Sequence, residues 1–378
     1  MTRAWPSCAA CGTDQPFDTR LWRCPCGAPL IIKWDKAPDP TLPADVRPVP
    51  GQPGLWRYRA ALPIHEDAAI VTLGEGMTPL VEARLEGRPV LYKCDFCCPT
   101  GSFKDRGWTV AVSHLREIGV RSVTEDSSGN AGASLAAYGA RAGITVTVFV
   151  PADASTAKKR QIAACGARVV EVSGGRAELE RQARDTDEDT FYAGHSWNPW
   201  FIEGTRTLAW EILEQTGGVM PAAVVTPLSQ GAILLGLWQG FEVLRARRGT
   251  PTPPRLIAAQ PAACAPVVLG LRDGSPQPPP VVPGPSLADG IRSPAPVRYA
   301  EIVAALRASN GTALAIGEDG IALHQRKLAH AGFFVEPTSA VAAAAAAQWL
   351  ASEEAAHRTP DGPVVIVLTG HGLKRPPD

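Results

Sequence analysis

Between Ser127 and Val172 the chain twice passes from a helix-patterned stretch through a glycine into an apolar run, and that order leaves few folds open. Ala131, Leu135, Tyr138 and Ala142 recur at spacings of four, three and four, which is helical periodicity, and Gly143 supplies a stop. Ile144 to Val150 then reads ITVTVFV, β-branched and apolar throughout, as expected of a strand buried on both faces. The plan repeats with a helix over Lys158 to Cys165, a break at Gly166 and Ala167, and a strand over Arg168 to Val172. Ser122 to Thr124, Ala222 to Thr226, Leu256 to Ala259 and Val364 to Leu368 give further strands. Ile233, Leu234, Leu237, Trp238, Phe241 and Leu244 line one face of a helix. Strands alternating with helices imply an α/β fold with mostly parallel sheets and right-handed crossovers.

A chain of 378 residues is long enough for two or three domains around a large core. Its 37 basic residues balance 37 acidic ones, so no net field draws it to nucleic acid, and the expected partner is a small molecule. The N-terminus carries no apolar run of the signal-peptide kind, and Ala340 to Leu350 is too short to span a bilayer. We expect no membrane association and a soluble, cytoplasmic protein, whose nine cysteines are reduced or metal-bound rather than paired as disulfides.

Four of those cysteines open the chain. Cys8 and Cys11 form a CxxC, and after twelve residues Cys24 and Cys26 form a CxC followed by Gly27. Two tight thiolate pairs on separate turns can close a tetrahedral zinc site; the alternative is unligated cysteines in a flexible leader. A ribbon over residues 1–35 cannot bury a core alone, so metal would supply its folding energy, and without an open coordination position the site reads as structural. Residues 36–70 follow as a proline-rich connector, where neither helix nor central strand is expected because proline fixes φ and removes donors. Trp56, Tyr58 and Leu62 would anchor it. Asp273 to Pro285 (DGSPQPPPVVPGP) reads as an exposed loop within the main domain.

The segment Pro99-Thr-Gly-Ser-Phe-Lys-Asp-Arg-Gly107 places Lys104 in a loop of small and hydroxylic residues just before a helix. Burial beside an apolar group such as Phe103 favours the neutral amine that a Schiff base with a carbonyl compound requires. The alternative is a surface lysine paired with Asp105. Three further segments could serve such a lysine. Ser127-Ser128-Gly129-Asn130 opens a helix, where free N–H groups and the dipole favour an anion such as a substrate carboxylate, unless Ser and Asn merely cap it. Thr226-Pro-Leu-Ser229-Gln230-Gly231-Ala232 runs from a strand end into a helix, which suits a phosphate, although an ordinary strand-to-helix turn would look the same. Thr369, in TGHGLK, follows the last strand, where open α/β sheets bind ligands. We read the glycine-flanked His371 as structural and assign it no catalytic role.

PTGSFKDRG resembles the cofactor-lysine motif of the threonine synthase branch of the fold-type II pyridoxal phosphate enzymes. LGEGMTPL at 73–80, NPWFIEGTRT at 198–207, LADGIR at 287–292, EPTSA at 336–340 and the cysteine leader extend the resemblance over most of the chain. It implies two open, mostly parallel sheets flanked by helices plus a small N-terminal zinc ribbon. It also implies a large domain over 71–116 and 205–378, a smaller one over 117–204, and a homodimer. The cofactor would be pyridoxal phosphate, covalent on Lys104, with Asn130 bonding its 3'-oxygen, Ser229 to Ala232 its phosphate, and Thr369 facing its ring nitrogen. Ser127, Ser128 and Gly129 would clamp the substrate carboxylate, with Asn198 as a further substrate contact. The implied reaction converts O-phospho-L-homoserine and water to L-threonine and phosphate. Two departures bear on it: in place of the usual VGxG form the phosphate loop has Leu228, Ser229 and Gln230 with only Gly231 retained, and Ala131 stands where many threonine synthases have threonine. The alternatives are β-elimination or β-replacement on serine, threonine or a derivative, as in threonine dehydratase, cysteate synthase or diaminopropionate ammonia-lyase. From another class, the chain could be a non-catalytic zinc-ribbon binding protein. Cys94, Cys97 and Cys98, close in sequence to Lys104, read as buried packing residues.

Overall fold

The computed structural model describes residues 4–35, 54–127, 129–152, 154, 156–248, 253–352 and 361–375. Two short strands, β1 (Ala4–Cys8) and β2 (Leu30–Trp34), open the chain, and a hairpin of β3 (Leu80–Leu85) and β4 (Arg88–Lys93) precedes α1 (Lys104–Glu117). Alternation then takes over: β5 (Ser122–Glu125), α2 (Asn130–Ala142), β6 (Thr145–Pro151), α3 (Thr156–Ala164), β7 (Arg168–Val172), α4 (Gly175–Arg184), β8 (Thr190–Tyr192) and α5 (Pro199–Gln215). The rest comprises β9 (Ala223–Pro227), α6 (Ala232–Arg248), β10 (Arg255–Pro261), α7 (Pro266–Asp273), α8 (Tyr299–Ala308), β11 (Thr312–Ile316), α9 (Glu318–His330), α10 (Pro337–Leu350) and β12 (Val364–Val367).

These elements fall into two compact units, one of Met1–Gly76 with Cys98–Thr205 and the other of Met77–Cys97 with Arg206–Asp378. The first holds the antiparallel β1–β2 ribbon and an all-parallel sheet in the order β7-β6-β5-β8. Gly143 ends α2 in the left-handed conformation (φ +70°), which a residue without Cβ adopts at no steric cost. β6 departs from expectation. Only Val146, Val148 and Val150 are fully buried, and the alternate residues Thr147 and Phe149 are half-buried, so one face of the strand is covered less than its composition implies.

The second unit holds a six-stranded sheet in the order β11-β10-β9-β12-β4-β3, parallel except for the β3–β4 hairpin. Its core gathers Ala223, Val225, Ile257 and Ile366 from the sheet with Ala340 to Ala346 of α10. The alanine run is a buried core helix, whose small side chains let backbone and sheet approach closely. Among the described residues no helix is long and apolar enough to cross a membrane. Lys93 on β4 is fully buried in an ion pair with Glu211, and its amine also donates to Thr78 O and Gln215 Oε1. A buried charge needs such partners, and these fix the hairpin.

The connector is only partly as expected. Residues 36–53 lie outside the described residues, while Gly54–Ala61 winds into 3-10 turns with Leu55, Trp56 and Tyr58 buried. That stretch contains no proline, so nothing prevents it from winding, and Trp56 Nε1 donates to Thr109 Oγ1 at 2.8 Å.

Candidate active site

In the first unit Lys104 is the first residue of α1, half-buried, with Nζ 4.9 Å from the Phe103 ring centre and 5.5 Å from that of Phe201. The loop before it turns at Gly101 (φ +82°), whose N–H donates to Cys98 O at 2.7 Å. Asp105 then locks the loop, accepting from Thr100 N (2.7 Å), Thr100 Oγ1 (2.5 Å) and Ser134 Oγ (2.5 Å). Burial pushes its carboxyl up to about 6, against the pull of these bonds. Because Ser134 lies one turn beyond Asn130 on α2, the same carboxylate sets the register between the two helices. Trp108 Nε1 adds a second tie, donating to Ala131 O at 2.9 Å.

Asn130 starts α2. Its approach is fixed by Gly132, where a Cβ would meet Ser127 O at 2.1 Å and Val148 Cγ1 at 2.9 Å. Ser127 and Gly129 sit half-buried at this helix end, Gly129 N donating to Ser127 Oγ at 3.4 Å, and Ser128 lies outside the described residues. Asn198 has another use. Its Oδ1 accepts from Trp200 N (3.0 Å) and Phe201 N (3.3 Å), capping α5 and thereby placing the Phe201 ring beside Lys104.

In the second unit, the C-terminal ends of adjacent parallel strands β9 and β12 lead into Ser229–Ala232 and Thr369. Gly231 has φ +88°, and a Cβ there would fall 2.4 Å from Ile302 Cδ1, so only glycine brings this turn so close to α8. Ala232 begins α6, whose first N–H groups point out of the helix end. The Gln230 side chain does not serve this cradle: Nε2 donates to Ser293 Oγ (2.5 Å) and Oε1 accepts from Val297 N (2.9 Å), leaving its backbone to contribute. Thr369 is buried and braced by Ser339, whose Oγ accepts from the N–H groups of Thr369 (2.9 Å) and Gly370 (2.8 Å) and lies 3.2 Å from Thr369 Oγ1. His371 caps a 3-10 turn, its Nδ1 accepting from Leu373 N at 3.1 Å.

Sequence reasoning gave Ser339 no role and offered Asp105 only as the surface partner of Lys104, whereas Asp105 is fully buried and bonded to Thr100 and Ser134. Ser339 sits in EPTSA two residues after the Pro337 that starts a helix, and only the fold brings it to Thr369, thirty positions away. Cys94 and Cys98 are buried, as expected, but Cys97 is exposed because it ends a surface 3-10 turn. Burial pushes the Cys94 thiol up to about 12 and raises that of Cys97, so neither has the lowered pKa of a reactive thiolate.

The four leader cysteines converge, with all sulfurs within 4.8 Å of one another. Cys8 lies 3.4 Å from Cys26 and Cys11 3.6 Å from Cys24, near the roughly 3.8 Å edge of a tetrahedron with 2.3 Å metal–sulfur bonds. Ala10 N and Cys11 N donate to Cys8 Sγ at 3.4 and 3.3 Å. The Thr13 hydroxyl and backbone lower the Cys11 thiol to about 6, toward the thiolate a metal takes.

Several features fit a phosphorylated aldehyde cofactor: the half-buried amine among aromatic rings, the glycine-dependent turn at a helix start, and Ser102 Oγ, buried two residues before Lys104 without a hydrogen-bond partner among the described residues. A family profile described as pyridoxal-phosphate dependent enzyme matches residues 71–370. A threonine synthase of Methanocaldococcus jannaschii is 33% identical over 377 residues, covering 98% of this chain and 92% of that protein. One from Mycobacterium tuberculosis is 33% identical over 344 residues, covering 89% and 92%. Among solved structures, a threonine deaminase from T.th. matches with a TM-score of 0.64 at 27% identity, over 78% of this chain and 92% of that one. The fungal L-serine ammonia-lyase from Rhizomucor miehei reaches 0.68 at 19% identity, over 78% and 93%, which bears on the fold alone.

Proposed function

Because the chain belongs to the pyridoxal-phosphate dependent enzymes, as a threonine synthase-like carbon–oxygen lyase of fold type II, we propose that it converts O-phospho-L-homoserine and water to L-threonine and inorganic phosphate. The observation that carries this reading is the 33% identity to a threonine synthase over 98% of the chain. Pyridoxal phosphate, when bound, supplies an electron sink for charge that develops at the substrate Cα. Lys104 would hold the cofactor covalently and, once freed by the substrate, would accept protons from Cα and Cβ and return them at Cα and Cγ. Asn130 would bond the cofactor's 3'-oxygen, the N–H groups of Ser229 to Ala232 would hold its phosphate, and the Thr369 hydroxyl, braced by Ser339, would serve its ring nitrogen. The substrate carboxylate is clamped by Ser127, Ser128 and Gly129 at the start of α2. Asn198, with Oδ1 committed to capping α5, offers its remaining amide N–H groups to the substrate. The bond from Cγ to the phosphate oxygen breaks and phosphate leaves with that oxygen; Cγ gains the proton given up at Cβ and becomes the methyl group, and water adds its hydroxyl at Cβ while its other proton goes to the phosphate released.

The leader cysteines hold one zinc ion in a closed, structural site, a reading supported by the spacing of the four sulfurs. A second reading, β-elimination from serine or threonine, draws on the threonine deaminase likeness at 27% identity. Product analysis separates the two. Holoenzyme given O-phospho-L-homoserine should release threonine and phosphate in equal amounts. A 2-oxo acid from threonine or serine, with no phosphate from phosphohomoserine, would replace the first reading with the second.

A further inference from the structure

The arm between the two cysteine pairs, residues 12–23, has almost no regular structure, and the small apolar cluster of the ribbon consists of Cys8, Cys24 and Leu30. Inside the ribbon the start of this arm is tied by Cys8 N donating to Thr13 O (2.9 Å), Gln15 N to Pro6 O (2.8 Å) and Lys33 Nζ to Asp14 Oδ1 (3.0 Å), and its two ends meet at Cys11 and Cys24, whose sulfurs lie 3.6 Å apart. Yet its tip is docked at two places on the unit that carries Lys104. Phe17 stacks on His65 (3.8 Å between ring centres, 21° between planes) and meets the edge of His114 at 5.0 Å. Its carbonyl accepts from His114 Nε2 at 3.0 Å. Trp22 meets Tyr192 and Trp197 edge-on at 5.1 Å each, with the Arg184 guanidinium 4.4 Å from its ring centre.

What the arm touches leads on to Lys104. His114 stacks face to face on Trp200 at 3.4 Å and 16°. Trp200 and Phe201 share the Asn198 cap at the start of α5, and Phe201 lies against Trp108 (5.3 Å) and Lys104 Nζ (5.5 Å). Gly107 leaves the room, since a Cβ there would stand 2.5 Å from the Phe201 ring.

We propose that Phe17 is a positioning residue for Lys104: the cysteine-clamped arm presses it onto His114, which holds Trp200 and hence Phe201 in the place that orients the lysine amine. The ribbon then takes part in turnover without touching substrate. Metal on the four cysteines closes the arm, and its loss loosens Phe17. The proposal rests on Lys104 carrying the cofactor, and its readouts include cofactor binding, which does not depend on which amino acid is the substrate.

The test compares Phe17→Ala and Phe17→Tyr with wild type in the full-length holoenzyme. Displacing a reacting group by about 1 Å can cost up to 100-fold, so Phe17→Ala should lower kcat by about tenfold or more with a smaller change in KM. The visible absorbance of bound pyridoxal phosphate should shift, and Phe17→Tyr, which keeps the ring, should restore both. Chelating the metal should reproduce the effect in wild type and add little in Phe17→Ala, because both act through one contact. If Phe17→Ala does not fold, chelation of wild type followed by cofactor absorbance and tryptophan fluorescence gives the answer. An unchanged cofactor spectrum in both the variant and the metal-free protein overturns the proposal, as does equal loss in Phe17→Ala and Phe17→Tyr. Additive effects of variant and chelator overturn it too.

Discussion

Acidification should destabilise the fold through the histidine beneath the ribbon arm. His114 is completely buried, and desolvation, helped by nearby His65 and opposed by the hydrogen bond to Phe17 O, lowers it to about 3 from an ordinary 6.5. A group whose folded value is depressed gives stability that is complete above the unfolded value, about 6.5, and lost as pH falls toward the folded one. The slope approaches 1.4 kcal/mol per pH unit, so near pH 5 about 2 kcal/mol has gone. Asp105 acts in the opposite sense: its folded value of about 6 lies above the ordinary 3.8, so the penalty for ionising it is lifted as pH falls between those values. Total stability would therefore conceal both. The difference between wild type and His114→Phe isolates the histidine. At about pH 7.5 the variant should be less stable by about 2 kcal/mol, having left the Phe17 carbonyl without its donor. Urea unfolding of both proteins should show that gap closing almost completely near pH 5. A gap that stayed constant with pH would refute the buried, neutral histidine.

Gly231→Ala forces a left-handed backbone and a 2.4 Å contact with Ile302, about 2–4 kcal/mol together. Affinity for pyridoxal phosphate should fall by about tenfold or more as the turn shifts, and an unchanged titration would remove this loop from the site. Ser339→Ala removes the shared acceptor of two buried N–H groups, at about 1–3 kcal/mol, and should change the cofactor's absorbance along with kcat. Thr369 is not the ring-nitrogen partner if that spectrum stays as in wild type. Metal analysis should find about one zinc per chain in wild type and almost none in Cys8→Ser, Cys11→Ser. Full occupancy in the double variant would place the metal elsewhere.

Most of the architecture was legible because burial writes itself into composition: β9, β10 and β12 are short apolar runs, and Gly143 marks where α2 must stop. The ribbon was legible from cysteine spacing alone. The β3–β4 hairpin was not, since Glu82, Arg84, Glu86 and Arg88 face solvent at the sheet edge and leave no apolar run to see. Lys104, Asn130 and Thr369 could be picked out because each sits beside a helix start or strand end that local residues declare. Their supports could not. Ser134 reaches Asp105, Ser339 reaches Thr369 and Phe17 reaches His114 across 29, 30 and 97 positions, and no local pattern encodes such pairings.

Lys104 is the residue on which the site depends, and borohydride reduction of the holoenzyme followed by peptide mapping tests it without reference to any substrate. Reduction should fix one pyridoxyl phosphate per chain on the peptide containing Lys104, and none should be fixed in Lys104→Ala. Label on Lys93, Lys158 or any other lysine, or undiminished labelling of the variant, would contradict the assignment of the site.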